Sequence, residues 1–329
     1  MIQERINRQA GAGRDSSIGL DDMAAARCLG PGVSKGREWQ VGGEDPPRVC
    51  LAACLMTDAE RYTTLSESME PRQIVELINE YYGALFGPIS KHGGVVSDVK
   101  GDGLLAVWNS DYAGAQFRTR LCMACVELLD AVDSFNDRHP ADRLPTRLGV
   151  DFGPVALARV GALARYEYRA VGDPVNTAHR LEELNKELKT HILMSDVFTQ
   201  GVSGFLFRDL GSFRLRGKRC RTRVCELVGR VQQSTERQRE LCRDFGHAVT
   251  AYEIGNEVEA SKLFRSLHER FPEDGPTLYY LQRLAATQAQ GEGIGRWPLA
   301  RSLSRAWLSR FWPASRHAAA LGTGLVSNP

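Results

Sequence analysis

No stretch of this 329-residue sequence approaches the roughly 18 consecutive apolar residues that a membrane-spanning helix requires. The N-terminus likewise lacks the apolar core of a secretory signal peptide. A transmembrane segment is therefore not expected, and the cytoplasm is the expected compartment. An excess of one charge is also missing, since 42 Lys and Arg face 40 Asp and Glu. No basic stripe interleaved with aromatics stands out, which argues against nucleic acid as a partner. The eight cysteines include one Cys-x-x-Cys spacing, Cys122 to Cys125, but no second such pair and no well-spaced histidines accompany it. A zinc or redox site at cysteine is thus not expected, and buried free thiols are. What is present is ordinary for globular protein: 43% hydrophobic and 25% charged residues, in a length that suits roughly two domains.

Residues 1–47 are rich in Gly, Arg, Asp and Ser without sustained periodicity, and are expected to form a disordered leader. Between residues 48 and 229 strand and helix patterns alternate. The apolar run from Arg48 to Met56 reads as a strand, and Thr63 to Glu67 as a helical stretch. Pro71 opens a longer helix in which Ile74, Leu77, Ile78, Tyr81 and Leu85 recur at helical spacing. A hairpin from Val95 to Trp108 follows, then a helix from about Ala113 to Arg138. Strands are expected at Thr146 to Phe152 and Val155 to Val160, split by Gly153-Pro154. After them come a helix from Val175 to about Asn185, a short strand from His191 to Met194, and strands at Phe213 to Arg216 and Thr222 to Val228. Helices interleaved with hairpins predict an α+β sandwich, a largely antiparallel sheet flanked by helices.

Residues 230–286 read as helical, with three helices between Arg237 and Leu284. Phe245, Ala248 and Tyr252, then Ala260, Phe264 and Leu267, have the small and aromatic spacing of a tetratricopeptide-like hairpin. A single hairpin of that kind cannot cover both its faces, so it is expected to pack on the preceding domain or on a protein partner. Residues 287–329, with Trp297, Trp307 and Trp312 among arginines, are expected to be a poorly ordered tail.

The strongest chemical signal is a pair of aspartates. Asp58 follows the first apolar run, in Thr57-Asp58-Ala59-Glu60, and Asp102 centres Gly101-Asp102-Gly103, a tight turn between the two strands of the hairpin. Carboxylates at strand ends, beside glycines that let a ligand approach the backbone, are what a pair of hard cations and a polyphosphate require. Either aspartate taken singly reads more simply as a turn or cap residue. A third cluster, Tyr168 to Glu182, sets Gly172-Asp173 directly before a helix carrying Asn176 and Arg180 four residues apart. That spacing places an amide and a guanidinium on one helix face, within reach of one ligand.

In order, Thr-Asp-Ala-Glu-Arg-Tyr-Thr-Thr-Leu-Ser-Glu (57–67), Lys-Gly-Asp-Gly-Leu-Leu-Ala-Val-Trp (100–108), Gly-Asp-Pro-Val-Asn-Thr-Ala-His-Arg-Leu-Glu (172–182) and Leu-Arg-Gly-Lys (215–218) resemble the catalytic domain of the class III nucleotidyl cyclases. The resemblance covers residues 48–229 and looks strongest toward bacterial members in which a helical-repeat hairpin follows that domain. Many of those carry an N-terminal sensor with membrane helices, which is not expected here. The resemblance implies an enzyme of intracellular signalling, most simply an adenylate cyclase that converts ATP to 3′,5′-cyclic AMP and pyrophosphate. GTP is the alternative substrate, and a catalytically silent module that dimerises and binds a partner is the alternative of another class. The joint presence of Asp58, Asp102, Asn176 and Arg180 argues against the silent module.

By the same resemblance, Asp58 and Asp102 bind two divalent cations, Mg or Mn. Asn176 orients the ribose, and Arg180 neutralises charge at the α-phosphate. Arg216 and Lys218, with the backbone around Ala59 and Glu60, hold the phosphates. The implied assembly is a head-to-tail homodimer in which one chain supplies the aspartates and the other supplies Asn176 and Arg180. The C-terminal helices are candidates for a protein partner. Two positions depart from the adenine-selective pattern: Asp98 stands where a lysine is common, and Arg169 where Asp, Thr or Ser is common. These base-selecting positions have their charges swapped, as if the two side chains pair with each other.

Overall fold

Ala52, Ala53, Cys54 and Leu55 follow one another in β1 (Arg48–Ala59) and are all fully buried, the mark of a central strand covered on both faces. In the computed structural model, which describes residues 47–110, 116–162 and 165–290, β1 lies inside an eight-stranded sheet. The expected leader up to residue 46 and the tail from residue 291 lie outside the described residues.

After β1 come α1 (Tyr62–Ser68), α2 (Pro71–Lys91), the hairpin of β2 (Val95–Lys100) and β3 (Gly103–Asn109), and α3 (Phe117–Arg138). The hairpin of β4 (Thr146–Ala162) and β5 (Arg165–Val171) leads into α4 (Asp173–Leu188), β6 (Ile192–Ser195) and the single turn α5 (Asp196–Thr199). β7 (Phe205–Phe213) and β8 (Thr222–Arg230) close the sheet, and α6 (Glu236–Glu253), α7 (Glu257–Arg270) and α8 (Gly275–Gln290) follow. The sheet order is β2-β3-β1-β4-β6-β8-β7, with β5 also on β4. Every pairing is antiparallel except β4 with β6.

Because side chains alternate along a strand, odd and even positions of β1 serve different cores. Ala53 and Leu55 join Tyr81, Leu85 and Ile89 of α2 and Leu121, Leu128 and Phe135 of α3. Cys50, Ala52 and Cys54 face the other way, toward Leu105, Val155 and Ala178 of α4. A third core unites α4 with the C-terminal helices: Leu181, Leu184 and Leu188 meet Leu210 and Phe213 of β7 and Phe245, Phe264 and Tyr280. The hairpin therefore finds its covering surface on the domain before it.

Three strand assignments differ from the sequence expectation. β4 runs unbroken through Gly153-Pro154, with Leu51 opposite Pro154 in β1. On its other edge β6 pairs only at 148–150 and β5 only from 156, so Pro154 falls in a gap where no ladder donor is needed. β5 itself was not expected. The strand expected at Phe213 to Arg216 is instead the end of β7, and residues beyond Phe213 form the turn before β8. A register shift between Asp209 and Gly211 interrupts the alternation of β7 and hides it.

Seven described cysteines are free; Cys50, Cys54, Cys122, Cys125 and Cys225 are buried and Cys220 is exposed. Burial pushes the Cys54 thiol up to about 12, as suits an inert core residue. Among the described residues no helix is long and apolar enough to cross a membrane.

Candidate active site

The two aspartates are brought together by a close approach of backbones. A β-carbon on Gly103 would lie 2.6 Å from the Thr57 carbonyl oxygen, so only glycine lets the β2–β3 turn settle on the end of β1. The Leu104 N–H donates to Thr57 Oγ1 at 3.2 Å, and the Tyr82 hydroxyl on α2 donates to the Gly101 carbonyl. Asp102 then accepts from the Ala59 N–H at 3.2 Å. Burial, and next the negative charge of Asp58, push the Asp102 carboxyl above the usual carboxylate range, against the hydrogen bonds it accepts. The carboxylate at the end of β1 and the one in the β2–β3 turn offer oxygens of the hard kind that magnesium or manganese takes.

A cation that sequence reasoning passed over holds Asp58. Arg147 lies opposite Asp58 in the β1–β4 register, with its side chain only 7% exposed. It donates to Asp58 at 2.6 Å, to Glu182 of α4 at 3.0 Å and to Glu60. Lys186 of α4 stands 3.5 Å from the same Asp58 oxygen. Burial and the charge of Asp58 raise the Glu182 carboxyl to about 7 although Arg147 opposes the shift. The legible signal was a charged residue inside the run Thr146-Arg147-Leu148-Gly149-Val150, whose members are all buried.

Asn176 and Arg180 lie on α4, which packs on β4 at Gly149, where a β-carbon would come within 2.0 Å of the Ala178 carbonyl oxygen. Asn176 is exposed and Arg180 half-buried. The Arg180 guanidinium covers the turn at Gly217, which has φ +72 and would place a β-carbon 3.3 Å from Nη2. Lys218, next in that turn, donates to Asp173 at the start of α4, and Arg216 is exposed beside it. Among the described residues no hydrogen bond or ion pair joins Asn176 or Arg180 to Asp58 or Asp102, whose partners are Arg147, Lys186 and Ala59. The structure thus gathers Asp58 with Asp102, and α4 with the 215–218 turn, as two separate groups.

The amides of Ala59 and Glu60 are engaged within the chain. The first donates to Asp102 and the second to the Pro145 carbonyl at 2.7 Å. Asp98 and Arg169 do meet, at 3.7 Å, with side chains 30% and 44% exposed. A register shift between Val96 and Asp98 turns β2 toward β5, and Ser97 Oγ accepts from the Ala170 N–H at 3.2 Å. Among the described residues no group of three or more His, Cys, Asp and Glu converges as a metal cage, so the Asp58–Asp102 pair is the candidate donor set.

An α+β domain with this sheet and these motif-bearing turns is a known architecture. The adenylate and guanylate cyclase catalytic domain matches residues 47–228, more than half of the chain, and the chain belongs to that family. It is 32% identical over 182 residues to adenylate cyclase 1 of Rhizobium meliloti (strain 1021), covering 54% of this chain and 27% of that protein. It is 30% identical over 166 residues to receptor-type guanylate cyclase gcy-14 of Caenorhabditis elegans, covering 49% of this chain and 15% of that one. The chain therefore spans about a quarter or less of these curated relatives. The crystal structure of the adenylyl cyclase CyaB from P. aeruginosa superposes with a TM-score of 0.51 at 20% identity, over 58% of this chain and all of that one, a likeness of fold alone.

Proposed function

We propose that this chain is a nucleotidyl cyclase that converts ATP to 3′,5′-cyclic AMP and pyrophosphate at a site completed between two copies. The observation that carries it is that the two groups are held by different elements: Asp58 and Asp102 at one end of β1, and Asn176 and Arg180 on α4 beside the Lys218 turn, with no hydrogen bond or ion pair between the two among the described residues. A head-to-tail homodimer would set one group of each chain against the other group of its partner. Asp58 and Asp102 would hold two divalent cations, Mg or Mn, which supply charge neutralisation and lower the pKa of a bound hydroxyl.

The chain's own residues do the rest. Arg147 holds and orients Asp58 through its 2.6 Å bond. Asn176 would orient the ribose. Arg180, a permanently charged plane with several donors, would neutralise charge developing at the α-phosphate. Arg216 and Lys218 would attract the terminal phosphates.

The similarity to adenylate cyclase 1 supports ATP as substrate. A second reading, GTP, has its own support in the Asp98–Arg169 pair. A carboxylate only accepts and a guanidinium only donates, and the guanine edge offers adjacent N–H donors to the one and O6 with N7 to the other. Incubating the purified chain with ATP or GTP and manganese, and identifying the product by mass, tests both. Cyclic AMP from ATP is expected. A folded, dimeric protein that yields neither cyclic nucleotide overturns the enzyme reading and leaves a dimerising module.

A further inference from the structure

The C-terminal helices bear directly on one of the two groups, and on the other only at one remove, through Lys186 and Glu182 of α4. Gly211, at the shift in β7, has φ +86, and a β-carbon there would lie 2.8 Å from the Tyr280 hydroxyl oxygen and 2.9 Å from Val249 Cγ1. β7 is therefore shaped around α6 and α8. The Tyr280 hydroxyl donates to the Leu210 carbonyl at 2.6 Å. Glu253, the last residue of α6, accepts from the Ser212 N–H at 2.9 Å and from Arg223 at 3.0 Å. It grips β7 and β8 at the root of the loop that carries Arg216 and Lys218.

The same helices back α4. Leu184 and Leu188 share a core with Phe245 and Phe264, and a β-carbon on Gly275 would meet the Leu188 carbonyl oxygen at 2.1 Å. At the far side of the loop, Arg180 covers Gly217 and Lys218 bonds Asp173, closing the loop onto α4. Among the described residues the bonded partners of Asp58 and Asp102 include none from α6, α7 or α8.

We propose that α6–α8 are a positioning device for the Asn176–Arg180 group, acting through Glu253 and Tyr280 on the β7–β8 loop and through the shared core on α4. What these residues catalyse rests on the cyclase reading; the mechanical wiring does not. A charged group that must neutralise a reacting phosphate is sensitive to displacements of an ångström or less, so loosening its support lowers turnover without touching the carboxylates. Glu253 and Tyr280 are positioning residues, since neither belongs to either group.

The test uses the full chain and its Glu253→Ala and Tyr280→Phe variants, the second of which keeps the ring and removes only the hydroxyl. Hydrogen exchange read by mass spectrometry should show faster exchange in peptides spanning 172–190 and 210–222, with those spanning 55–62 and 98–106 unchanged. Turnover should fall about tenfold with an unaltered manganese midpoint. Glu253→Gln, which keeps an acceptor for Ser212, should recover part of the loss. In mixed dimers, Glu253→Ala should be harmful on the chain that carries Asp102→Ala, whose Arg180 group is in use, and silent on the chain that carries Arg180→Ala. Equal exchange changes around both groups, or changes confined to the helices, overturn the proposal. If the exchange pattern holds while mixed dimers without the Glu253 change are inactive, the wiring stands and the shared-site reading fails.

Discussion

At the scale of single residues, the carboxylates are the most exposed part of the account. Replacing Asp58 or Asp102 with alanine should lower turnover by about 10²-fold or more, since each removes a hard donor. Asp102 sits in a half-exposed turn, so its variant should unfold within a few degrees of wild type, whereas Asp58→Ala also takes a partner from buried Arg147 and should melt lower; activity near wild type in either would remove the metal assignment. Glu182 gives a pH prediction whose sign follows from its raised carboxyl, about 7 against an ordinary 4.5, caused first by burial and then by Asp58. The folded state holds this proton more tightly than the unfolded chain, so the contribution to stability is complete below about pH 4.5 and is lost as pH rises through 7. With chelator present, Glu182→Gln should therefore melt about 2–4 °C above wild type at pH 8 and converge with it near pH 5. Asp98 and Arg169 are too exposed for their ion pair to be worth more than about 1 kcal/mol. Asp98→Lys should leave stability nearly unchanged but impair turnover by opposing two cations, and adding Arg169→Asp should recover ATP turnover. Specificity constants for ATP and GTP of the four proteins check this, and strictly additive losses would mean that base choice is made elsewhere. Asp58, Asp102, Asn176 and Arg180 stand out in the sequence because short motifs with fixed spacing carry them. Arg147 does not, because its meaning depends on a strand register joining residues 58 and 147 that no local pattern reveals.

Elements whose faces repeat at helical spacing were legible, and those defined by backbone approach were not. The period of α2, with Leu77, Tyr81 and Leu85 buried, reads directly from the sequence. β5 and the true extent of β7 depend on long-range partners and on a bulge, so the alternation expected of a strand is broken there. Gly149 is a test of how tightly α4 is seated. A β-carbon would meet backbone atoms of Ala178 and Glu182 at 2.0 and 2.3 Å, which no side-chain rotation relieves. Gly149→Ala should cost about 1–3 kcal/mol and lower turnover further by shifting Arg180, as denaturant titration and kinetics would show. Arg208 tests the join between sheet and C-terminal helices. Its side chain is 5% exposed, bonds Glu226 and Asp274 at 2.5 Å each, and lies over the Phe245 ring. Arg208→Ala would strand two largely buried carboxylates and should cost about 3–5 kcal/mol.

At the scale of the whole molecule, one chain carries two incomplete sets of groups, and α4 touches both: Lys186 and, through Arg147, Glu182 reach Asp58, while Arg180 faces the Gly217 turn. Sequence order alone lists all of these residues as one set. The fold sets β1 and the β7–β8 turn in different parts of one sheet, and among the described residues no hydrogen bond or ion pair joins the two sets. The most direct measurement of the shared-site account mixes Asp102→Ala and Arg180→Ala chains, each inactive alone, under conditions where subunit exchange is verified. Random pairing makes half the dimers mixed, each with one intact site of two, so the account predicts about one quarter of wild-type cyclic nucleotide formation. No activity in a mixture shown to exchange would contradict it.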